Sequence, residues 1–181
     1  MTAPYPYFVR ICGKDPVYVI SVASMTRTLY ASYPGFDTAE IRTDQPAGRA
    51  RLAWVVVVDE SLPPGSAANA AVCVAAATSP RVAGLLGPDA TDASGSVHPG
   101  LPWAGCTVLG APADELARLR AAAAATEGML VADVPAAAQA TRVYDDYLAD
   151  VAGAAELSYR AVGIIGPREI VAEMTRGFRP A

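Results

Sequence analysis

The run VVVVDESLPPGSAANAAVCVAAATSP (residues 55–80) holds three kinds of local structure in one segment. Four valines end at Asp59 and Glu60. An unbroken apolar run, in place of alternation, marks a strand buried on both faces. A Pro-Pro-Gly-Ser turn follows, then a helix-length stretch of small residues interrupted by one amide, Asn69. Strand, Gly-containing loop and helix in that order often form an anion or substrate site, because a helix N-terminus presents unpaired N–H groups. The segment lacks the G-x-x-x-x-G-K-[ST] and G-x-G-x-x-G patterns that build a phosphate cradle. Its polar residues are Asp59, Glu60, Ser61, Ser66 and Asn69, and the question it poses is what Asn69 faces.

Outward from this run the same texture repeats. LAWVVVVD (52–59), CTVLGA (106–111), GMLVAD (128–133) and RAVGIIG (160–166) read as buried strands. Residues 113–126 place Leu116, Leu119 and Ala123 on one helical face, with Gly128 just past the end as a cap. Pro167 suits the first turn of a helix whose inner face is Ile170, Val171 and Met174, and Gly177 marks its exit. Strands alternating with helices predict an α/β domain over residues 49–181. Residues 1–48 read as an N-terminal extension, with a β-hairpin from 7–11 and 17–22 around CGKDP and then a connector. The 85–103 segment, rich in Gly, Pro, Ser and Asp, is a long loop of the kind that carries function.

Composition excludes several classes. The chain has 181 residues, 52% hydrophobic and 18% charged, with a net charge of −4 and a pI near 4.9. That describes a well-filled core and argues against a nucleic-acid-binding surface. Thirteen of the 14 basic residues are Arg and one is Lys14, and Ala is abundant, a bias of GC-rich genomes. Cys12, Cys73 and Cys106 with the lone His98 have no zinc spacing, so no metal is expected, nor any other cofactor. Reduced thiols, no recognisable signal peptide and no membrane-length apolar run predict a cytoplasmic protein.

YRAVGIIGPREIVAEMTRGF (159–178) resembles the C-terminal strand, Gly-Pro and helix signature of the domain-of-unknown-function two-thousand family, grouped by fold with peptidyl-tRNA hydrolase type II. Asp59, Leu62 and Asn69 match that family's Asp-x-Leu loop and Asn-bearing helix, and DASGSVHPGLPWAGCTVL (92–109) resembles its Asp-x-x-Gly loop. The resemblance covers roughly residues 50–181. It implies a three-layer α/β/α fold with a mixed four- to five-stranded sheet, and frequent homodimers. It transfers no activity: the hydrolases place lysines, a Gln and a His where this chain has LPPGS, Ala67, Ala71 and Val74.

The candidate site residues follow from placement. Asp59 and Asp133 end strands where open α/β sheets bind ligands, so they are either an acid–base pair over one crevice or solvated loop acids. Asn69, surrounded by Ala, Val and Cys, is read as buried and either bonds a structural group or offers its amide to a ligand. Ser66 caps the helix or orients substrate. His98 is the one residue of a type whose unperturbed pKa lies near neutrality; with Asp92 and Ser94 it allows a Ser-His-Asp arrangement, without a nucleophile elbow, or a simple ligand contact. Trp103 is a candidate pocket wall, Cys73 an inert core thiol and Cys106 a strand residue near His98. RVYDDYLAD (142–150) reads as a polar helix or lid over the crevice. Together these predict a small soluble enzyme acting on a low-molecular-weight substrate in bacterial specialised metabolism, as hydrolase, lyase or isomerase. The rivals are a non-catalytic binding or regulatory dimer and, third, a peptidyl- or aminoacyl-tRNA hydrolase.

Overall fold

The structure, a computed structural model, describes residues 33–181; the expected N-terminal hairpin and the first part of the connector lie outside the described residues. Strand β1 (Leu52–Asp59) leads into helix α1 (Pro64–Thr78). The short strands β2 (Ala90–Thr91) and β3 (Val97–His98) form a two-stranded hairpin within the long loop. Then come β4 (Thr107–Ala111), α2 (Ala113–Ala124), β5 (Leu130–Pro135), α3 (Ala137–Ala140), α4 (Tyr144–Gly153), β6 (Tyr159–Pro167), α5 (Arg168–Met174) and β7 (Arg179–Pro180).

Five strands make one mixed sheet in the order β5-β6-β1-β4-β7. β1 and β4 are parallel, while β6 runs antiparallel to both β1 and β5. The carboxyl ends of β1, β4 and β5 therefore share one edge. Side chains along a strand alternate between faces, and β1 uses both. Leu52, Trp54, Val56 and Val58 join a core with Ala70 and Val74 of α1. Val55 and Val57 join a second core with Leu116, Leu119 and Ala123 of α2 and Val171 of α5. The valine run is continuous because each face of β1 meets a helix. The result is the expected three-layer α/β/α arrangement with a mixed sheet.

Helix α1 sits close to the sheet at one point. Gly163 of β6 lies beneath Val74, and a Cβ at Gly163 would collide with the valine's Cγ1. Thr78, at the end of the same helix face, is also buried and bonds back to the Val74 carbonyl at 2.8 Å. At Gly128 the backbone takes φ 77°, which lets the chain leave α2 and turn into β5.

The sheet domain forms one compact unit over Tyr33–Ala181, so residues 33–48 pack with it. Phe36 is buried among Val82, Leu85 and Trp54. The Arg168 guanidinium ties the same region to β6, donating to the carbonyls of Ala47, Ala50 and Leu52 at 2.7–3.1 Å. Arg51 holds Glu40 through two hydrogen bonds of 2.6 and 2.9 Å and also reaches the Gly35 carbonyl.

Gly163→Ala is expected to destabilise the protein by about 1–3 kcal/mol, the usual cost of overpacking a closed contact. Val74→Ala in the same chain should recover part of it, measured as a coupling energy in urea unfolding; strict additivity would show that the two residues do not press on each other. The Arg51 guanidinium, followed by the Asp37 amide, lowers the Glu40 carboxyl from 4.5 to about 2. A depressed folded value favours the ionised form, so the stabilisation is complete above pH 4.5 and lost as pH falls towards 2. Glu40→Gln should therefore be less stable than the parent chain at pH 7, with the gap closing across that window.

Candidate functional site

The start of α1 is a poor anion site, for a local reason. Pro63 and Pro64 have no N–H to offer, and the amides of Ser66 and Ala67 both donate to the Pro63 carbonyl at 2.9 and 3.0 Å. Gly65 is then the one first-turn donor left. Ser66 is the third residue of the helix, not its cap, and makes no capping bond with its side chain.

Asn69 is exposed on α1, not buried. The small residues around it allow this: Ala70 and Val74 face the sheet, while Asn69, Val72 and Cys73 face outward. The side chain of Gln139, in α3, spans the gap to α1. Its Nε2 donates to the Ser66 carbonyl at 2.9 Å and to Asn69 Oδ1 at 3.2 Å. Chemistry fixes both amide orientations, since a backbone carbonyl only accepts and the Gln139 end facing it must be the NH₂ group. The Asn69 atom facing that NH₂ is consequently its oxygen. The Asn69 NH₂, a donor, and the Gln139 carbonyl oxygen, an acceptor, make no side-chain or backbone hydrogen bond among the described residues.

These two amides open onto a crevice of about 430 Å³ between α1, the edge strand β5 and the α3–α4 arm. Asn69 and Cys73 line one side, residues 133–135 the second, and Gln139, Arg142, Tyr144 and Tyr147 the third. The two tyrosine rings lie 5.5 Å apart, inclined at 56°. Burial, and then the negative charge of Asp133, raises the Tyr147 phenol above its ordinary value of 10, so at neutral pH it is a proton donor. Volume and polarity both suit a small-molecule site.

Of the predicted residues, Asn69 lines this crevice and Ser66 reaches its margin through its carbonyl; Asp133 is also in its wall, but its carboxylate turns to the α2 side. The others do not converge there. Asp59 is buried and locally committed: Oδ1 accepts from the Ser61 amide at 3.0 Å and its hydroxyl at 2.6 Å, and Oδ2 lies 3.6 Å from Arg160 Nη1. Asp133 pairs separately with Arg120 Nε at 3.1 Å. Strand β6 lies between the two carboxylates, roughly 10 Å for two strand spacings, so each has its own arginine and they are not one acid–base pair. Both also point to the α2 side of the sheet, the layer opposite α1, as the register with Ala111 and Val162 requires.

His98, Ser94 and Asp92 sit on the exposed β2–β3 hairpin. The Ser94 hydroxyl donates to Asp92 Oδ1 at 2.6 Å, and His98 Nε2 is 3.4 Å from Oδ2. The serine proton thus points to the carboxylate and not to the imidazole, which is not the order of a hydrolytic triad. That hydroxyl, with the Ser96 and Ser94 amides, lowers Asp92 to about 2. Trp103 lies outside this crevice, in the wall of a separate cavity of about 220 Å³: its indole N–H donates to the Gly84 carbonyl at 2.8 Å, and its ring lies edge-on to Phe36. Cys73 is exposed, contrary to the core position expected for it. Cys106 keeps an exposed edge, yet loss of solvent around its sulfur pushes the thiol up to about 11, so it is no nucleophile near neutral pH. Arg120, on α2, is the partner of Asp133. The residue that sequence reading passed over is Gln139. Its signal is the one Asn69 gave: a single amide in a run of alanines, VPAAAQA.

A second cavity, of about 600 Å³, lies on the other flank of α1 between Val58, Ala67, Ala71, Val108 and Pro180. It is mostly apolar, and Asp59, Glu60 and Arg179 are the charged residues of its lining. No group of three or more His, Cys, Asp or Glu among the described residues is placed to hold a metal ion. No helix among them is long and apolar enough to cross a membrane.

The family described as "Protein of unknown function (DUF2000)" matches residues 53–180, well over half of the chain. The chain belongs to this family. The fold is also that of a solved protein of unknown function, Atu0240, from Agrobacterium tumefaciens strain C58. At 13% identity the two share a TM-score of 0.64 over 72% of this chain and 98% of that one. No curated protein matches the chain.

Removing Gln139 tests the architecture of the crevice. Gln139→Ala is expected to cost about 1 kcal/mol, since the lost hydrogen bonds are partly exposed. Its main effect should be local: faster hydrogen exchange across residues 137–150 with little change in β1 or β6. Unchanged exchange in that arm would show that the bonds to Ser66 and Asn69 do not hold it down.

Proposed function

We propose that this DUF2000 member is a small soluble enzyme whose α1–β5 crevice binds and transforms a low-molecular-weight substrate. The observation that carries the reading is the fixed amide pair: Gln139 is held by the Ser66 carbonyl and leaves the Asn69 NH₂ free in the crevice that Tyr147 also lines. Two donors of that kind suit a substrate oxygen that gains charge during reaction. Tyr147 stays protonated at neutral pH because burial and Asp133 disfavour the phenolate, so its role is to donate. Asp133, anchored by Arg120, supplies a fixed negative charge behind it. Such a set serves proton transfer at a carbonyl or ester, the chemistry of hydrolases, lyases and isomerases. An Arg- and Ala-rich composition fits a bacterial cytoplasmic setting, and a place in specialised metabolism belongs to the same proposal.

A second reading is a non-catalytic ligand-binding homodimer. In its favour, α1 shows an uncharged outer face, with Val72 65% exposed, and no charged residue occurs between Glu60 and Arg81. A tRNA hydrolase has no such support, because residues 59–66 read DESLPPGS and carry two acids and no cation. The position matched to the hydrolase His, Val74, is fully buried.

Incubation with a small-molecule extract, followed by mass spectrometry, separates these readings. An enzyme should deplete one component, and Asn69→Ala and Tyr147→Phe should each slow it by about 10²-fold while the protein stays folded. Full turnover in both variants would sink the site assignment. Retention of a compound without conversion would establish the binding protein instead.

A further inference from the structure

We infer that the crevice selects a planar molecule bearing a single carboxylate, with Arg142 as the group that recognises the charge; this rests on the small-molecule reading of the crevice given above. Arg142 lines the crevice, yet it makes no ion pair and no side-chain hydrogen bond among the described residues. In this it differs from Arg42, Arg51, Arg118, Arg120, Arg160 and Arg176, each of which has a carboxylate partner. The acids nearest in sequence, Asp145 and Asp146, belong to the first turn of α4 and form no pair with it. A guanidinium with a free face matches a carboxylate in geometry, as two parallel N–H···O bonds.

The rest of the ligand's shape comes from the other walls. Tyr144 and Tyr147, inclined at 56° with centroids 5.5 Å apart, present aromatic surface to a flat molecule. The Asn69 NH₂ and Gln139 carbonyl give it one donor and one acceptor in fixed directions. Charge sets the limit of one. Asp145 and Asp146 stand in the first turn of the helix that walls the crevice, beside the single cation Arg142, so a monoanion is favoured over a dianion such as a phosphate ester.

Cys73 provides a reporter inside the crevice, being exposed and part of its lining. The test follows the rate of Cys73 alkylation by N-ethylmaleimide, read by peptide mass spectrometry, in the presence of benzoate, its neutral twin benzamide, acetate, which has no ring, or phenyl phosphate. Benzoate is expected to protect Cys73 at concentrations roughly tenfold lower than benzamide, with acetate and phenyl phosphate weaker than benzoate. Arg142→Gln should abolish the difference between benzoate and benzamide and leave benzamide protection unchanged. Equal protection by benzoate and benzamide in the parent chain, or a benzoate preference that survives Arg142→Gln, overturns the carboxylate inference while the crevice still stands as a site. Stronger protection by phenyl phosphate overturns the limit to one charge. Absence of protection by all four probes overturns both the inference and the crevice reading beneath it.

Discussion

The depth at which α1 rests on the sheet governs both the core and the site. Val74 can lie against β6 because Gly163 has no side chain, and this close approach brings Ala70 and Thr78 into the interior along the same helix face. A helix seated this low must be built of small residues, which explains the alanine-rich composition of residues 67–77 better than any helix propensity does. It also rotates Asn69 and Cys73 outward, towards the edge strand β5. A residue of ordinary size at position 163 would lift α1 off the sheet. The Ser66 carbonyl and the Asn69 amide would then leave the reach of Gln139.

Most of the framework was legible in the sequence because it depends on local patterns. Four valines in a row require cover on both faces, and α1 on one side and α2 with α5 on the other supply it. Leu116, Leu119 and Ala123 face inward as their spacing demands, and Gly128 turns the chain where it was expected to. The site was legible only in part. Asn69 and Asp133 were found by their residue types and positions, and they do line one crevice. Asp59 does not join Asp133 over one crevice, and periodicity cannot reveal that a strand-end carboxylate is held by its own turn and by Arg160, 101 positions away in the chain. Asn69 was expected in the interior because Ala neighbours give no direction: small residues suit a buried face and an open one equally.

The partners of the crevice lie far apart along the chain. Gln139 meets Ser66 and Asn69 across 73 and 70 positions, and Arg120 meets Asp133 across a helix and a turn. Such contacts arise from the topology, which places β5 at the edge and lets α3 and α4 fold back past it. Polar groups on an edge strand escape the burial that binds Asp59, so the edge is where this fold has chemistry to spare.

The direction of the amide pair has an evolutionary consequence. The Ser66 carbonyl accepts and never donates, so Gln139 must turn its nitrogen to α1, and only a residue at 69 with an acceptor beside a donor can use the remaining proton and still serve a ligand. Positions 69 and 139 are thereby bound to change together. Among DUF2000 members that share this arm, loss of the amide at 139 should travel with loss of the amide at 69, and chains that keep both should form the subgroup that shares a ligand.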